Sequence, residues 1–176
     1  MIGLEKGIVK LAEYDGNWQE IFVKERSELR NILGDKAIDI QHIGSTSVPG
    51  SCAKPIIDIQ IGMNSMKIAD ECIKPLIEFG YEFKGGNGIP GGYFFTKSIG
   101  EIRTHHLHII THNSQSRVDH IIFRDFLIQN PEYQKKYCDL KKKLAIKFKN
   151  DREAYTDAKS DFIEKVVQLA LKNREK

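Results

Sequence analysis

The chain has 176 residues, with 27 basic and 24 acidic side chains for a formal net charge of +3; 40% of residues are hydrophobic and 29% charged. That length suits one domain, and the composition excludes a disordered chain, a fibrous repeat and a disulfide-stapled miniprotein. No apolar run approaches the roughly 18 residues that span a bilayer, which excludes a membrane protein of the helical kind. Glu5 and Glu13 interrupt the N-terminus, which has no long apolar run and does not read as a secretory signal. Three cysteines (Cys52, Cys72, Cys138), odd in number and without CxxC spacing, argue for reduced thiols and a cytoplasmic protein.

In chain order, Ile8–Tyr14 reads as a short strand. Asp15 or Asn17 then caps a helix whose stripe is Trp18, Ile21, Phe22, Leu29, Ile32 and Leu33, and Gly34 marks its end. Strands are predicted over Ala37–Ile43 and Pro55–Ile61, joined by the loop GSTSVPGSCAK. Met66–Phe79 is predicted as helix, with Pro75 an obstacle in one turn. Five glycines in GGNGIPGG (85–92) make a loop, either a lid or a hairpin connection, between strands at Tyr81–Phe83 and Tyr93–Ile99. Ile102–Ile110 is the next strand of a meander. Helices are predicted over 118–129, 131–149 and 153–173, with Pro131 in a first turn. This gives a single α+β domain over 1–176: a mixed β-sheet with helices in 1–112 and a C-terminal helical part in 113–176.

The charge is unevenly spread. Residues 135–149 hold seven lysines against one acid, so the other 161 residues sum to −3. Tyr133, Tyr137, Leu140, Leu144 and Phe148 form a helical stripe, and the lysines between them read as a solvated face. The balance therefore gives no reason to expect nucleic acid as a partner.

Three segments carry chemistry. After the strand ending at Ile43, Gly44-Ser45-Thr46-Ser47 offers backbone N–H groups and three hydroxyls to a phosphate, or forms an ordinary turn. In IIDIQI, strand parity puts Ile57, Ile59 and Ile61 on one face and Asp58 and Gln60 on the other. An acid there needs a partner: a salt bridge to Lys54 or Arg103, or metal- or phosphate-linked work. In IRTHHLHI, parity places His106 and His108 together, about 6.5 Å apart, and turns Arg103 away from them. The pair either packs, hydrogen-bonded, or converges with Asp58 on one ion or phosphate. Lys54, at the mouth of the Asp58 strand, is placed to neutralise a phosphate or to remain a surface lysine. His42 reads as a core histidine. Lys159, one turn from Tyr155, either reaches into a cleft between sheet and helices or snorkels.

YDGNW (14–18), QHIGSTSVPG (41–50), AKPIIDI (53–59), RTHHLHI (103–109), FRDFL (123–127) and YTDAK (155–159) occur in an order that resembles the GrpB (glutamate-rich protein B) family over nearly the whole length. That family is similar to a branch of the nucleotidyltransferase superfamily. The resemblance implies a nucleotidyltransferase-like mixed sheet, with Ile43-Gly44-Ser45 holding phosphate and Asp58 as first metal carboxylate, twelve residues separating Ser45 from Asp58. It implies metal-assisted transfer of a nucleoside monophosphate from a triphosphate to an unidentified acceptor, with magnesium or manganese as cofactor. This sequence departs from the pattern at Gln60, where a second carboxylate is expected, and in IRTHHLHI, which has no third acid. Asp58 and His108 are the expected catalytic residues and Asp58, His106 and His108 the expected metal ligands; with imidazoles there, zinc becomes an alternative metal, and a transition-metal hydrolase using Asp58 and His106/His108 an alternative reading. A third reading keeps the fold as a non-catalytic module for a nucleotide or another phosphorylated small molecule. Members fused to dephospho-coenzyme A kinase point to coenzyme A metabolism.

Overall fold

The alternating isoleucines that predict two central strands do form them, as β3 (Ile57–Met63) and β6 (Ile102–Thr111), running parallel at the middle of a six-stranded sheet. The computed structural model describes residues 2–86 and 91–174. β2 (Asp39–Ile43) lies antiparallel to β3, and β5 (Tyr93–Ile99) and β4 (Tyr81–Phe83) extend the other side in the order β2-β3-β6-β5-β4. A two-residue strand, β1 (Leu4–Glu5), pairs with the start of β6.

One face of the sheet is covered by α1 (Asn17–Leu33) and α2 (Met66–Glu78). Trp18, Phe22, Leu29 and Leu33 of α1 meet Ile57, Ile59, Ile61, Leu107 and Ile109, and this cluster is the main core. Gly34 ends α1 with φ +53°, a conformation that glycine adopts without Cβ strain. α2 runs through Pro75, one turn from its end, where the lost N–H spares only one carbonyl its partner.

On the opposite face lie α3 (Gln115–Gln129), α4 (Pro131–Lys147), α5 (Arg152–Asp157) and α6 (Ser160–Arg174). Ile122, Phe126, Val166, Val167 and Ala170 form a second cluster between α3 and α6. The 153–173 helix is thus two helices; neither Gly nor Pro occurs in 152–174 to signal the break. The Ile8–Tyr14 strand also does not form. That stretch makes a single bridge, Ala12 to Ala53, and Val9 N–H donates to the Lys149 carbonyl, so it straps the end of α4 rather than joining the sheet. Of the glycine loop, residues 87–90 lie outside the described residues, and the lid expectation with them.

The cysteine expectation is corrected. Cys52 and Cys138, 86 residues apart in sequence, are joined by a disulfide with their Cα atoms 5.6 Å apart, and Cys72 is free and buried. The fold lays the loop after β2 against α4, a juxtaposition that cysteine spacing does not encode. No helix among the described residues is long and apolar enough to cross a membrane.

Candidate functional site

The helices of the C-terminal part do not close fully on the sheet. Between them and β2, β3 and β6 lies a cavity of about 470 Å³. Its floor is set by register: His106 sits opposite Asp58 and His108 opposite Gln60 across the parallel β3–β6 pair. The parity that buries Ile57, Ile59 and Ile61 completely on the α1 side therefore turns Asp58, His106 and His108 toward the cavity. Gly44 follows β2 with φ +70°, and a Cβ there would stand 2.5 Å from Asp58 Oδ2. Only glycine lets the Ser45 turn approach the carboxylate this closely.

Asp58 is tied into a chain of three. His106 Nδ1 donates to Asp58 Oδ1 at 2.7 Å, and Arg152 Nη2 donates to His106 Nε2 at 2.8 Å. An imidazole that donates at one nitrogen and accepts at the other is neutral. Burial, the largest influence, lowers the His106 pKa accordingly. For Asp58, burial pushes the pKa up, but the His106 hydrogen bond and the neighbouring positive groups outweigh it and keep the carboxylate ionised. His108 is held neutral by burial, its pKa about 3, with Phe94 stacked 4.9 Å away and no partner for its Nδ1 among the described residues.

The cavity's other charges are all positive. Lys54, Lys141, Lys159 and Arg152 line it, and Asp58 is the only acid among the described lining residues. Lys54 and Lys159 place their ammonium groups 5.1 and 4.5 Å from the Tyr155 ring centroid. Neither has a hydrogen-bond acceptor or an ion pair among the described residues. Burial first, then the neighbouring cations, lowers Lys54 to about 7 and Lys159 to about 8. Lys141 falls to about 7 for the same reasons. Its side chain is 2% exposed and donates to Ser45 Oγ at 2.8 Å, to Ser51 Oγ at 3.3 Å and to the Cys52 carbonyl.

Several expected residues land elsewhere than the sequence suggests. Of the three hydroxyls, only Ser45 stands among the cations. Thr46 is buried, donating to the Ile56 carbonyl and lying 3.0 Å from His42 Nε2, and Ser47 Oγ closes the turn onto the Gly44 carbonyl. These hydrogen bonds build the loop, and Thr46 also lines the cavity. His42 is the core histidine expected, stacked on Phe22. Lys54 and Lys159 both reach the cavity. Arg103 does not point away: a register shift between Lys97 and Ser98 pairs Arg103 with Ser98 but His105 with Lys97. The extra residue, Thr104, resets the alternation, so Arg103 lies close enough to Lys54 and Arg152 to lower the pKa of both.

Sequence reasoning missed Lys141 and Arg152. Lys141 is one of the seven lysines assigned to solvent. It falls four residues after Tyr137 and three before Leu144, on the apolar stripe itself, and that position was the available signal. Arg152 carries none, since only the fold brings the start of α5 to His106.

A divalent ion requires ligands, and those present are few. Asp58 gives Oδ1 to His106, and both ring nitrogens of His106 are occupied. Gln60, fully buried at the second carboxylate position, donates its amide to His120 Nδ1 at 2.7 Å and so fastens α3 to the sheet. One carboxylate oxygen beside imidazoles and four cations is not the oxygen-rich set that magnesium prefers. Among the described residues no three His, Cys, Asp or Glu side chains gather as a metal-ligand set, and the Asp58–His106–His108 grouping is not one. The residues present do not fit the metal.

Comparison with known proteins agrees with this architecture. The family described as GrpB protein matches residues 8–169. Glutamate-rich protein GrpB of Alkalihalophilus pseudofirmus is 39% identical over 171 residues, 95% of this chain and 98% of that one. A 28% identity over 75% of the chain links it to dephospho-CoA kinase of Mycobacterium tuberculosis, of which it spans 38%. Among solved structures, conserved protein GrpB from Enterococcus faecalis superposes with TM-score 0.86 at 34% identity, covering 95% of this chain and all of that one. Cid1 poly(U) polymerase, in a structure with MgGTP bound, superposes with TM-score 0.52 at 16% identity over 76% of this chain and 44% of that one, a likeness of fold. The chain belongs to the GrpB family and has a nucleotidyltransferase-like α+β fold.

Proposed function

We propose that this GrpB-family protein binds a nucleotide or another phosphorylated small molecule in the cavity between sheet and C-terminal helices. One observation carries the reading: Lys141, buried, and Lys54, Lys159 and Arg152, half-buried, line one cavity around a single carboxylate. Lys54 and Lys159, with no hydrogen-bond acceptor among the described residues, are costly to keep charged when partly withdrawn from water, and an anionic ligand supplies the missing charge. Phosphate oxygens would sit between the Ser45 turn and the Lys54–Tyr155–Lys159 stack, with the apolar lining of Phe94, Phe123 and Ile163 left for the rest of the ligand.

Thermal shift and calorimetric titration test this with nucleoside mono-, di- and triphosphates, pyrophosphate and dephospho-coenzyme A. The last is included because of the partial likeness to dephospho-CoA kinase. A ligand at 100 times its Kd stabilises by about 2.7 kcal/mol. For a chain of this size that raises the Tm by about 5–10 °C. Lys54→Ala and Lys159→Ala should each reduce the shift. No response to any phosphorylated compound would refute the proposal.

A second reading, nucleotidyl transfer, is favoured by the close approach of Gly44 to Asp58. In it Asp58 takes the proton of an acceptor hydroxyl whose oxygen bonds to the α-phosphorus, and the bond to the bridging oxygen breaks to release pyrophosphate. Pyrophosphate release that disappears in Asp58→Ala would establish it; binding without release favours the binding module.

A further inference from the structure

Building on the phosphate-binding reading, we propose that the cavity takes its polyphosphate ligand free of divalent metal, with Lys54, Lys159 and Arg152 occupying the electrostatic role that metal ions fill in metal-dependent nucleotide sites. Three observations converge. The ligand set is short, because Gln60 stands where a second carboxylate would and is bound to His120. The remaining carboxylate is already compensated: His106 donates to Asp58 Oδ1, and the charges of Lys54, Lys159 and Arg152 act on the same group.

The third observation is the sign of the field. Four cationic side chains against one carboxylate, with His106 and His108 neutral, give the lining a net charge of +3 when the lysines are protonated. A dication entering that field meets repulsion from each lysine across a distance too short for salt to screen. A metal-free polyphosphate meets the opposite: it restores charge balance and lets the lysines of the lining hold their protons. Magnesium would cancel part of the ligand charge that the cavity is built to receive. The inference concerns the ionic form of the ligand; the binding reading stands or falls separately.

Calorimetric titration with ATP as probe decides the matter, at constant ionic strength, once with EDTA and once with saturating magnesium. Affinity should be at least about tenfold weaker in magnesium, because the metal complex depletes the form that binds. In Lys54→Ala/Lys159→Ala the affinity in EDTA should fall and the magnesium penalty shrink. Electron paramagnetic resonance of manganese with protein and ATP should show no protein-bound ion. Equal or tighter binding in magnesium, or a bound manganese signal, would overturn the inference while leaving phosphate binding intact. No binding of ATP in either medium would overturn the inference, and the binding reading falls with it only if every other phosphorylated compound of the series fails as well.

Discussion

Replacing Asp58 by asparagine separates a carboxylate that holds metal from one that balances lysines. The amide keeps the size of the side chain, and its oxygen still accepts from His106 Nδ1, so the Asp58–His106–Arg152 chain loses charge and not geometry. In the free protein the change leaves four cations without their counterion. Removing one partner of a buried pair costs about 3–5 kcal/mol. Asp58 keeps 30% side-chain exposure and the lysines can shed protons, so the lower end applies, about 3 kcal/mol at pH 7. That corresponds to a fall in Tm of about 6–12 °C. The loss should shrink at pH 9, where the lysines are neutral. Ligand affinity should move the other way. Two unit charges about 6 Å apart interact by about 3 kcal/mol at an effective dielectric constant of about 20. Part of that is absorbed by further deprotonation of the lysines, leaving a gain of about tenfold for ATP or pyrophosphate in EDTA. Differential scanning calorimetry and titration calorimetry measure the two halves. A variant that loses ligand binding while keeping its Tm would refute the reasoning, because that is the behaviour of a metal-holding carboxylate.

Ligand affinity should fall as pH rises from 7 to 9, because Lys54 and Lys141, near 7 in the free protein, must regain protons to meet the anion; calorimetry in buffers of different ionisation enthalpy should detect proton uptake. For folding the sign is opposite: between pH 7 and about 10 the unfolded chain binds protons that these native lysines have shed, so their contribution to stability rises with pH in that window. Gly44→Ala should destabilise by about 1–3 kcal/mol in chemical denaturation and weaken ligand binding, since its φ of +70° disfavours alanine and its Cβ would displace Asp58. Cys138→Ser should lower stability by about 4 kcal/mol in oxidising buffer, from the 86-residue separation that the disulfide closes, and the difference should vanish in excess dithiothreitol.

Much of the fold is written in period and punctuation. The alternation in 57–61 and 102–110 gave both central strands and the correct facing of Asp58, His106 and His108, because one face of each strand must be buried. Trp18, Phe22, Leu29 and Leu33 marked α1 through the same need. The misreadings share a cause: they depend on contacts between segments far apart in sequence. Lys141 is buried because Ser45, Ser51 and the Cys52 carbonyl wait for it across 89 to 96 residues. Arg103 faces the site because a bulge resets parity, and Cys52 meets Cys138 because a loop lies on α4. The lysine-rich helix, which made the charge look like a surface property, supplies one of the four cations of the cavity.

The central claim is that the cations lining this cavity hold a phosphorylated ligand there. The most direct test is the affinity of the protein for ATP in EDTA at pH 7, compared between the unaltered chain and the Lys54→Ala/Lys159→Ala double variant, with circular dichroism to confirm that both are folded. The account predicts saturable binding to the unaltered chain and at least a hundredfold loss in the double variant, about 2.7 kcal/mol. Equal affinities in two folded proteins, or no binding to the unaltered chain by ATP or any other phosphorylated ligand of the series, would contradict it.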